Sequence, residues 1–225
     1  EVYVYVSDSE NRLHDFFAQV IGIDLTRNRE KLEKGGLRYA GQLDLAPGDY
    51  RLRVLVRNAE TGRAGLAVQS LHVPAFTAGA PYLVPPIFLE PSNGGMMVRR
   101  SGSSGSSSED PLLGAGVEDF VPAAAPSVHP GTPSRVSIVT YHFGGENSEP
   151  ILKMGAQVLA EDGRPMGDGM IALVGKGPVE ADGRQLLLVS FTPATLSPGL
   201  YALRVILQDG ATGRGTHASA PFRVP

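Results

Sequence analysis

Side chains able to bind a metal or carry out acid–base chemistry are few and scattered along the chain. The 225 residues include no cysteine, which removes the thiolate metal site, the catalytic thiol and the disulfide. The five histidines have no metal-ligand spacing; they are His14, His72, His129, His142 and His217. His142 falls in the alternating run TYHFG, which is typical of a half-exposed strand residue rather than a ligand.

Two acidic stretches are candidates for a cation site. The run EDGRPMGDG carries Glu161, Asp162 and Asp168, and oxygen-rich glycine turns suit calcium. Its spacing misses the EF-hand loop, so a hairpin turn is favoured. Asp8 is followed by Ser9 and Glu10, and the Asp-x-Ser-x-Ser metal-adhesion motif is therefore absent. No metal ligand and no cofactor is predicted.

Motifs for enzymatic chemistry are also missing. The chain has no GxSxG, no GxxxxGK[ST], no HExxH and no GxGxxG. We therefore predict no catalytic and no cofactor-binding residue, and a protein that is not an enzyme. A hydrolase whose Asp, Glu or His groups converge from two domains is the weakest of the hypotheses that stay open.

Charge excludes some partners. The formal net charge is −3, and the 20 Lys and Arg residues are spread along the chain, so nucleic acid is not expected as a partner. The chain contains no run of 18 apolar residues, so no membrane-spanning segment is predicted. A basic stripe is predicted on the outer face of one sheet, where a solvated surface is favoured over an anionic-ligand site; it consists of Arg51, Arg53, Arg57 and Arg63.

The architecture follows from a repeat. Residues 45–74 and 196–225 align without a gap at a constant offset of 151, with thirteen of thirty positions identical. Each copy reads as a strand, a turn and a second strand, since apolar and polar residues alternate on either side of a TGR turn. A Pro-Gly-x-Tyr lead precedes each strand and resembles the tyrosine corner of β-sandwiches. Tyr50 and Tyr201 are therefore predicted to be structural.

The predicted fold is all-β, with two tandem immunoglobulin-like or fibronectin-III-like β-sandwiches. The predicted boundaries are 1–74 for the first sandwich, 75–133 for an extended Pro-rich and Ser/Gly-rich connector, and 134–225 for the second. One short helix is predicted over 26–34 in the first sandwich, with Thr26 or Asn28 as N-cap and Gly35-Gly36 as the stop. Residues 101–108, which are all Ser or Gly, predict a flexible coil.

The repeat extends more loosely at its N-terminal side. Residues 6–12 align with 158–164 at an offset of 152, whereas the strand predicted over 135–143 would have its counterpart before residue 1. The first sandwich is therefore predicted to lack an N-terminal strand. Two explanations stay open, namely a piece of a longer protein or a domain that receives a strand from a neighbour.

The order of several segments resembles one group of proteins. These segments are LDLAPGDYRLRVLVRNAETGRAG, PYLVPPIFLE, DFVPAAAPSVHPG, YHFG and LSPGLYALRV. Together they resemble the region C-terminal to the adhesion domain in bacterial, largely acidobacterial, proteins related to the von Willebrand factor type A family. The resemblance covers nearly all of the chain, without the type A domain, and implies an extracytoplasmic accessory region of unassigned activity. No functional residue carries over.

Two main hypotheses on function follow. The first is a non-enzymatic structural or protein-interaction module of the bacterial cell envelope or exterior, which acts as a spacer or assembly subunit and binds a protein partner or itself. The second is a ligand- or carbohydrate-binding accessory module of a larger secreted protein. The absence of Trp disfavours it, and three coplanar exposed aromatic side chains on one sheet would favour it. A small-molecule ligand is left open.

Overall fold

A computed structural model describes residues 1–92, 95–100, 119–143 and 150–225 of the chain. The coil predicted over 101–108 lies outside these residues. The elements, in chain order, are β1 (Val2–Ser7), β2 (Leu13–Gln19), α1 (Leu25–Gly35), β3 (Leu37–Ala40), β4 (Gly48–Arg57), β5 (Ala64–Val73), β6 (Tyr82–Leu83), β7 (Ile87–Pro91), β8 (Met96–Arg99), β9 (Phe120–Pro122), β10 (Ser134–Tyr141), β11 (Leu152–Ala160), β12 (Pro165–Val179), β13 (Arg184–Thr192), β14 (Gly199–Asp209) and β15 (Gly215–Val224). The all-β class with one short helix is confirmed.

The chain forms two compact units. The first contains residues 1–77 and β8, and the second contains residues 78–92 together with the described residues from 119 onwards. The stretch predicted as a connector, 75–133, thus supplies β8 to the first unit and β6, β7 and β9 to the second. It is built into the sheets because its apolar side chains are buried, among them Leu83, Phe88 and Leu89.

The first unit has a four-stranded antiparallel sheet in the order β2-β1-β4-β5. A second, parallel pair is formed by β3 and β8. Three buried side chains make its core, namely Val2, Val4 and Phe17, with Tyr39 and Leu43 packed against them. This core is small because, among the residues that the structure describes, two strands of four residues each are all that accompany the main sheet.

The second unit is a β-sandwich with a larger core. Its strands follow the order β15-β14-β11-β12-β13-β10-β7-β9, and β6 pairs with β10. The fifteen-residue strand β12 pairs with β11 at its start and with β13 along the rest, so it joins two layers. Seventeen buried apolar residues from both layers form one cluster, centred on side chains such as Phe191, Leu203 and Phe222.

Four strands of the two units share one arrangement. The order β2-β1-β4-β5 corresponds to β12-β11-β14-β15. Val4 lies opposite Val54, and Ala156 lies opposite Val205, which reproduces the offsets of 152 and 151. An irregularity also follows Val6 in β1 and Val158 in β11. Positions of the two sheets can therefore be compared one by one.

Local details correct the sequence reading of the helix. Its N-cap is Asp24, whose carboxylate accepts from the backbone N–H groups of Thr26 and Arg27, so the predicted caps Thr26 and Asn28 are wrong. Aspartate caps a helix well because its side chain reaches the free N–H groups of the first turn. The predicted stop is confirmed, since Gly36 has φ 69° at the C-cap. None of the helical residues is buried, so the helix lies at the surface of its unit.

Both tyrosine corners are present. The hydroxyl of Tyr50 donates to the carbonyl of Ala46 at 2.9 Å, and that of Tyr201 donates to Ser197 at 2.9 Å. Each bond ties the start of a long strand to the Pro-Gly turn before it. The structural role predicted for these two tyrosines is confirmed.

Removal of one corner bond has a measurable expected cost. Tyr50→Phe keeps the buried ring and loses the hydroxyl, so the free energy of unfolding should fall by about 1 kcal/mol. Urea unfolding followed by far-UV circular dichroism measures it. Tyr5→Phe is the control, because the Tyr5 side chain is 38% exposed. Equal stability of wild type and Tyr50→Phe would contradict the assignment.

Candidate functional site

The outer side of the first unit's sheet carries two rows of side chains that are apolar or aromatic except for Arg53. Residues directly opposite on neighbouring strands share a face. The strand registers therefore place eight side chains in two rows across all four strands, which we call the apolar face: Phe16, Tyr5, Arg53 and Val68 in one row, and Ala18, Tyr3, Leu55 and Leu66 in the other.

These side chains are open to solvent. Leu66 is 64% exposed, Phe16 57% and Val68 53%, while Tyr3 and Leu55 are half-buried. The rings of Tyr5 and Phe16 lie 6.3 Å apart with planes inclined by 11°. A contiguous exposed patch of this kind is uncommon on a monomer and marks interaction surfaces.

The second unit provides an internal comparison. The row that corresponds to Phe16, Tyr5, Arg53 and Val68 consists of polar residues, namely Asp168, Gln157, Arg204 and Ser219. The row that corresponds to Ala18, Tyr3, Leu55 and Leu66 consists of Met170, Gly155, Ile206 and His217, and in this row Met170 is 71% and Ile206 45% exposed. Because the first of these rows is polar in the second unit, the fold itself does not require apolar side chains at Phe16, Tyr5 and Val68.

Charged groups lie around the apolar face. The guanidinium of Arg53 donates to Ser7 Oγ at 3.2 Å and to Asn11 Oδ1 at 3.4 Å, which draws it away from the centre of its row. At the other end, Arg57 pairs with Glu1 at 3.3 Å. The predicted basic stripe thus contributes to the rim of an apolar surface. An apolar, aromatic centre with a polar rim is the usual anatomy of a protein interface.

Asp8 organises the turn between β1 and β2. Its carboxylate accepts from the backbone N–H groups of Glu10 and Arg12 and from Arg12 Nε, and it lies 2.9 Å from His14 Nε2. The hydrogen bond with His14 and those with Arg12 hold the pKa of Asp8 well below its usual range. These contacts close a turn, so Asp8 has a structural role.

The lowered pKa of Asp8 predicts a pH effect. A carboxylate with a depressed pKa in the folded state stabilises the fold above the ordinary carboxyl pKa of about 3.9, and this contribution is lost as the pH falls through the folded pKa. Asp8→Asn should therefore lower the melting temperature at pH 7 and make it less dependent on pH below about 4. Thermal unfolding between pH 2 and 7 measures both. An unchanged acid dependence would contradict the role of Asp8.

The acidic turn of the second unit also closes on itself. Asp162 accepts from Arg164 N at 3.0 Å and from Arg164 Nε at 2.8 Å, and these bonds lower the pKa of Asp162. Asp168 lies in β12 opposite Gln157. The hairpin turn favoured by the sequence is confirmed. A wide-open depression is lined by Ala160, Glu161 and Asp162.

The histidines have separate surroundings. His72 Nδ1 lies 2.6 Å from a carboxylate oxygen of Asp49, and His217 lies opposite Ile206 on the outer side of the second unit's sheet. His142 is exposed, with φ 56°, in a bend after β10, so its predicted position within a strand is wrong. Its backbone N–H donates to the carbonyl of Gly183 at 3.0 Å, one position beyond the last pair of β10 and β13. Within the described residues, no three His, Asp or Glu groups are placed to hold a metal ion.

Comparisons with known proteins give little further information. No family model and no curated protein matches the chain. One similar solved structure is a family 123 glycoside hydrolase from Clostridium perfringens, with 12% identity, a TM-score of 0.31, and coverage of 45% of this chain and 22% of that chain. Another is dimeric latent PorU from Porphyromonas gingivalis, with 12% identity, a TM-score of 0.31, and coverage of 100% and 20%. The chain spans about a fifth of the length of each. In the part of the chain that the structure describes, no helix is long and apolar enough to cross a membrane.

Proposed function

We propose that this chain is a non-enzymatic assembly module that associates with a second copy of itself through the apolar face. The observation that supports it is the contrast between one matched pair of rows: where the first unit has Phe16, Tyr5 and Val68, the second unit has Asp168, Gln157 and Ser219. Phe16, Tyr5 and Val68 do not stabilise a sheet surface that contacts only water. Such side chains lower the free energy once another surface covers them.

A second copy is the occupant that the face fits best. With strand lengths of six to ten residues, the sheet presents about 500 Å² per copy, so two copies bury about 1,000 Å², the lower limit of a specific interface. The face has no carboxylate at its centre that would be left unpaired there. Sheets pack face to face in sandwiches through such apolar rows, at a separation of about 10 Å. An interface of this size predicts a weak, reversible dimer.

The proposed location is the envelope or exterior of a bacterial cell, where the module acts as a spacer or assembly subunit. This part rests on the resemblance to accessory regions of bacterial proteins related to the von Willebrand factor type A family. The resemblance carries no activity, and the proposal needs none, since the rows of the apolar face form a surface rather than a cleft.

The test uses a matched pair of double variants. Leu66→Glu with Val68→Glu puts two carboxylates on the apolar face at exposed positions, so the fold should tolerate them. His217→Glu with Ser219→Glu makes the same change at the corresponding positions of the second unit. Sedimentation velocity at about 10 to 500 µM should give a concentration-dependent dimer for wild type and the control, and a monomer for the first variant. A monomeric wild type throughout this range, or equal loss in both variants, would refute the proposal.

Carbohydrate binding is the second candidate, because three aromatic side chains lie on the same face. Tyr5 and Phe16 are exposed with nearly parallel rings, whereas Tyr3 is half-buried. A flat sugar ring needs ring faces turned to solvent. Affinity electrophoresis through soluble polysaccharides tests it: retardation of the wild type that is lost in Phe16→Ala would favour this function over self-association.

A further inference from the structure

The opposite side of the same sheet, which we call the inner face, is only partly covered. Val2, Val4 and Phe17 are buried on its β1–β2 half, beneath Tyr39 and Leu43. The β4–β5 half carries Leu52, Val54 and Val56 opposite Gln69, Ala67 and Gly65. In this half Val56 is 50% exposed and Ala67 is exposed. The alternation that predicts a buried face is present, and Leu52 and Val54 pack against the core. The positions beyond them on this half meet solvent, namely Val56, Gly65, Ala67 and Gln69.

The corresponding positions of the second unit are closed. Leu203, Val205 and Leu207 are all 0% exposed. They correspond at an offset of 151 to Leu52 and Val54, which are half-buried, and to the half-exposed Val56. The two units therefore have the same apolar pattern on this face and differ in what covers it.

A second layer of strands closes the inner face of the second unit. Strands β10 and β13 pair with each other and send alternate apolar side chains into the shared core, among them Val136, Ile138, Leu187 and Val189. The rings of Phe191 in β13 and Phe222 in β15 lie 5.9 Å apart across this core. Strands with apolar residues at alternate positions are thus what this face packs against within the same chain.

The first unit has only the beginning of such a layer. Among the described residues, its second layer is the β3–β8 pair, whose strands have four residues each. The Tyr39 ring lies 5.9 Å from the Phe17 ring, and Arg100 lies 4.4 Å over the same ring. These contacts locate the pair over the β1–β2 half.

We infer that the inner face of the first unit binds a β-strand of a partner polypeptide, with apolar side chains at alternate positions like those of β10. The incoming strand extends the β3–β8 pair, which satisfies its backbone hydrogen bonds, and its apolar side chains cover Val54, Val56 and Ala67. The other side of the sheet, where the apolar face lies, is not involved. This site is therefore independent of the proposed self-association.

The absence of cysteine allows a direct test in the full chain. Ala67→Cys places a thiol on the inner face of the first unit, and Ala218→Cys places one at the corresponding position of the second unit. The probe is a synthetic peptide with the sequence of residues 134–143. At saturating peptide, maleimide modification of Ala67→Cys should become about tenfold slower, because a covered thiol is inaccessible, whereas that of Ala218→Cys should not change.

Two controls make the test specific. A peptide with Val136→Ser and Ile138→Ser should give no protection, and Val56→Asp in the Ala67→Cys background should remove the protection by the native peptide. Ile206 is 45% exposed and lies in the second unit. Ile206→Asp in the Ala67→Cys background should therefore leave the protection by the native peptide intact. Equal modification rates with and without the native peptide would overturn the inference. Protection without peptide that rises with protein concentration would also overturn it, since a second copy would then cover the face.

Discussion

Phe191→Ala is expected to lower the free energy of unfolding of the second unit by about 3–5 kcal/mol. Phe191 is 0% exposed, and its ring contacts those of Phe88 and Phe222 at centroid distances of 6.3 and 5.9 Å. Truncation leaves a cavity between two layers that cannot close without moving several strands. Hydrogen exchange of the backbone amides in β13 and β14, measured with increasing urea, reports the loss for this unit.

Phe16→Ala is the matched aromatic control. Phe16 is 57% exposed on the apolar face, so its truncation removes little buried area and should cost less than about 1 kcal/mol. The measurement is made at low protein concentration, where the chain is monomeric. A similar cost for both variants would mean that the exposed position of Phe16 is not the one found in solution.

Leu203→Ala and Leu52→Ala form the second pair, because the two leucines occupy corresponding positions. Leu203 is 0% exposed, so its truncation should cost about 2–5 kcal/mol in the second unit. Leu52 is half-buried on an inner face that is partly open, so its truncation should cost about 1 kcal/mol in the first. Exchange of amides in β14 and in β4 separates the two effects. Equal costs would contradict the open inner face.

The sequence predicts those parts of the fold that local chemistry determines. The TGR turns, the Pro-Gly-x-Tyr corners and the alternation along β4 and β14 depend on neighbouring residues, and the structure has them as predicted. The predicted N-cap is wrong by a few residues because Asp24, Thr26 and Asn28 are all good caps. The direction of the helix axis determines which of these three side chains reaches the free N–H groups of the first turn.

Burial could not be predicted from the same patterns. Val56 and Leu207 both lie in strands with alternating apolar and polar residues, yet Val56 is 50% exposed and Leu207 0%. The difference arises because strands distant in sequence determine what covers each face. The apolar face did leave a signal in the sequence. In VYVYV of β1, apolar side chains occupy both faces of the strand, which is typical of a sheet covered on both sides. The neighbouring strand β2 adds Phe16 to the outer side of the sheet.

The two surfaces of the first unit differ in chemistry and in expected occupant. The apolar face offers aromatic rings and branched side chains with arginines near its rim, which suits a second, similar surface. The inner face offers a pattern that is closed by alternating strands elsewhere in this chain. Variants at Leu66 and Val68 act on the first surface, and variants at Val56 act on the second. Failure of one proposal therefore leaves the other standing.

The most direct test of self-association through the apolar face is methyl NMR of the wild-type chain at two concentrations. Between about 20 and 500 µM, the methyl signals of Leu55, Leu66 and Val68 should shift or broaden as the dimer forms. Those of Ile206, at the position in the second unit that corresponds to Leu55, should stay unchanged. Spectra that do not depend on concentration, or changes centred on Ile206, would contradict the account.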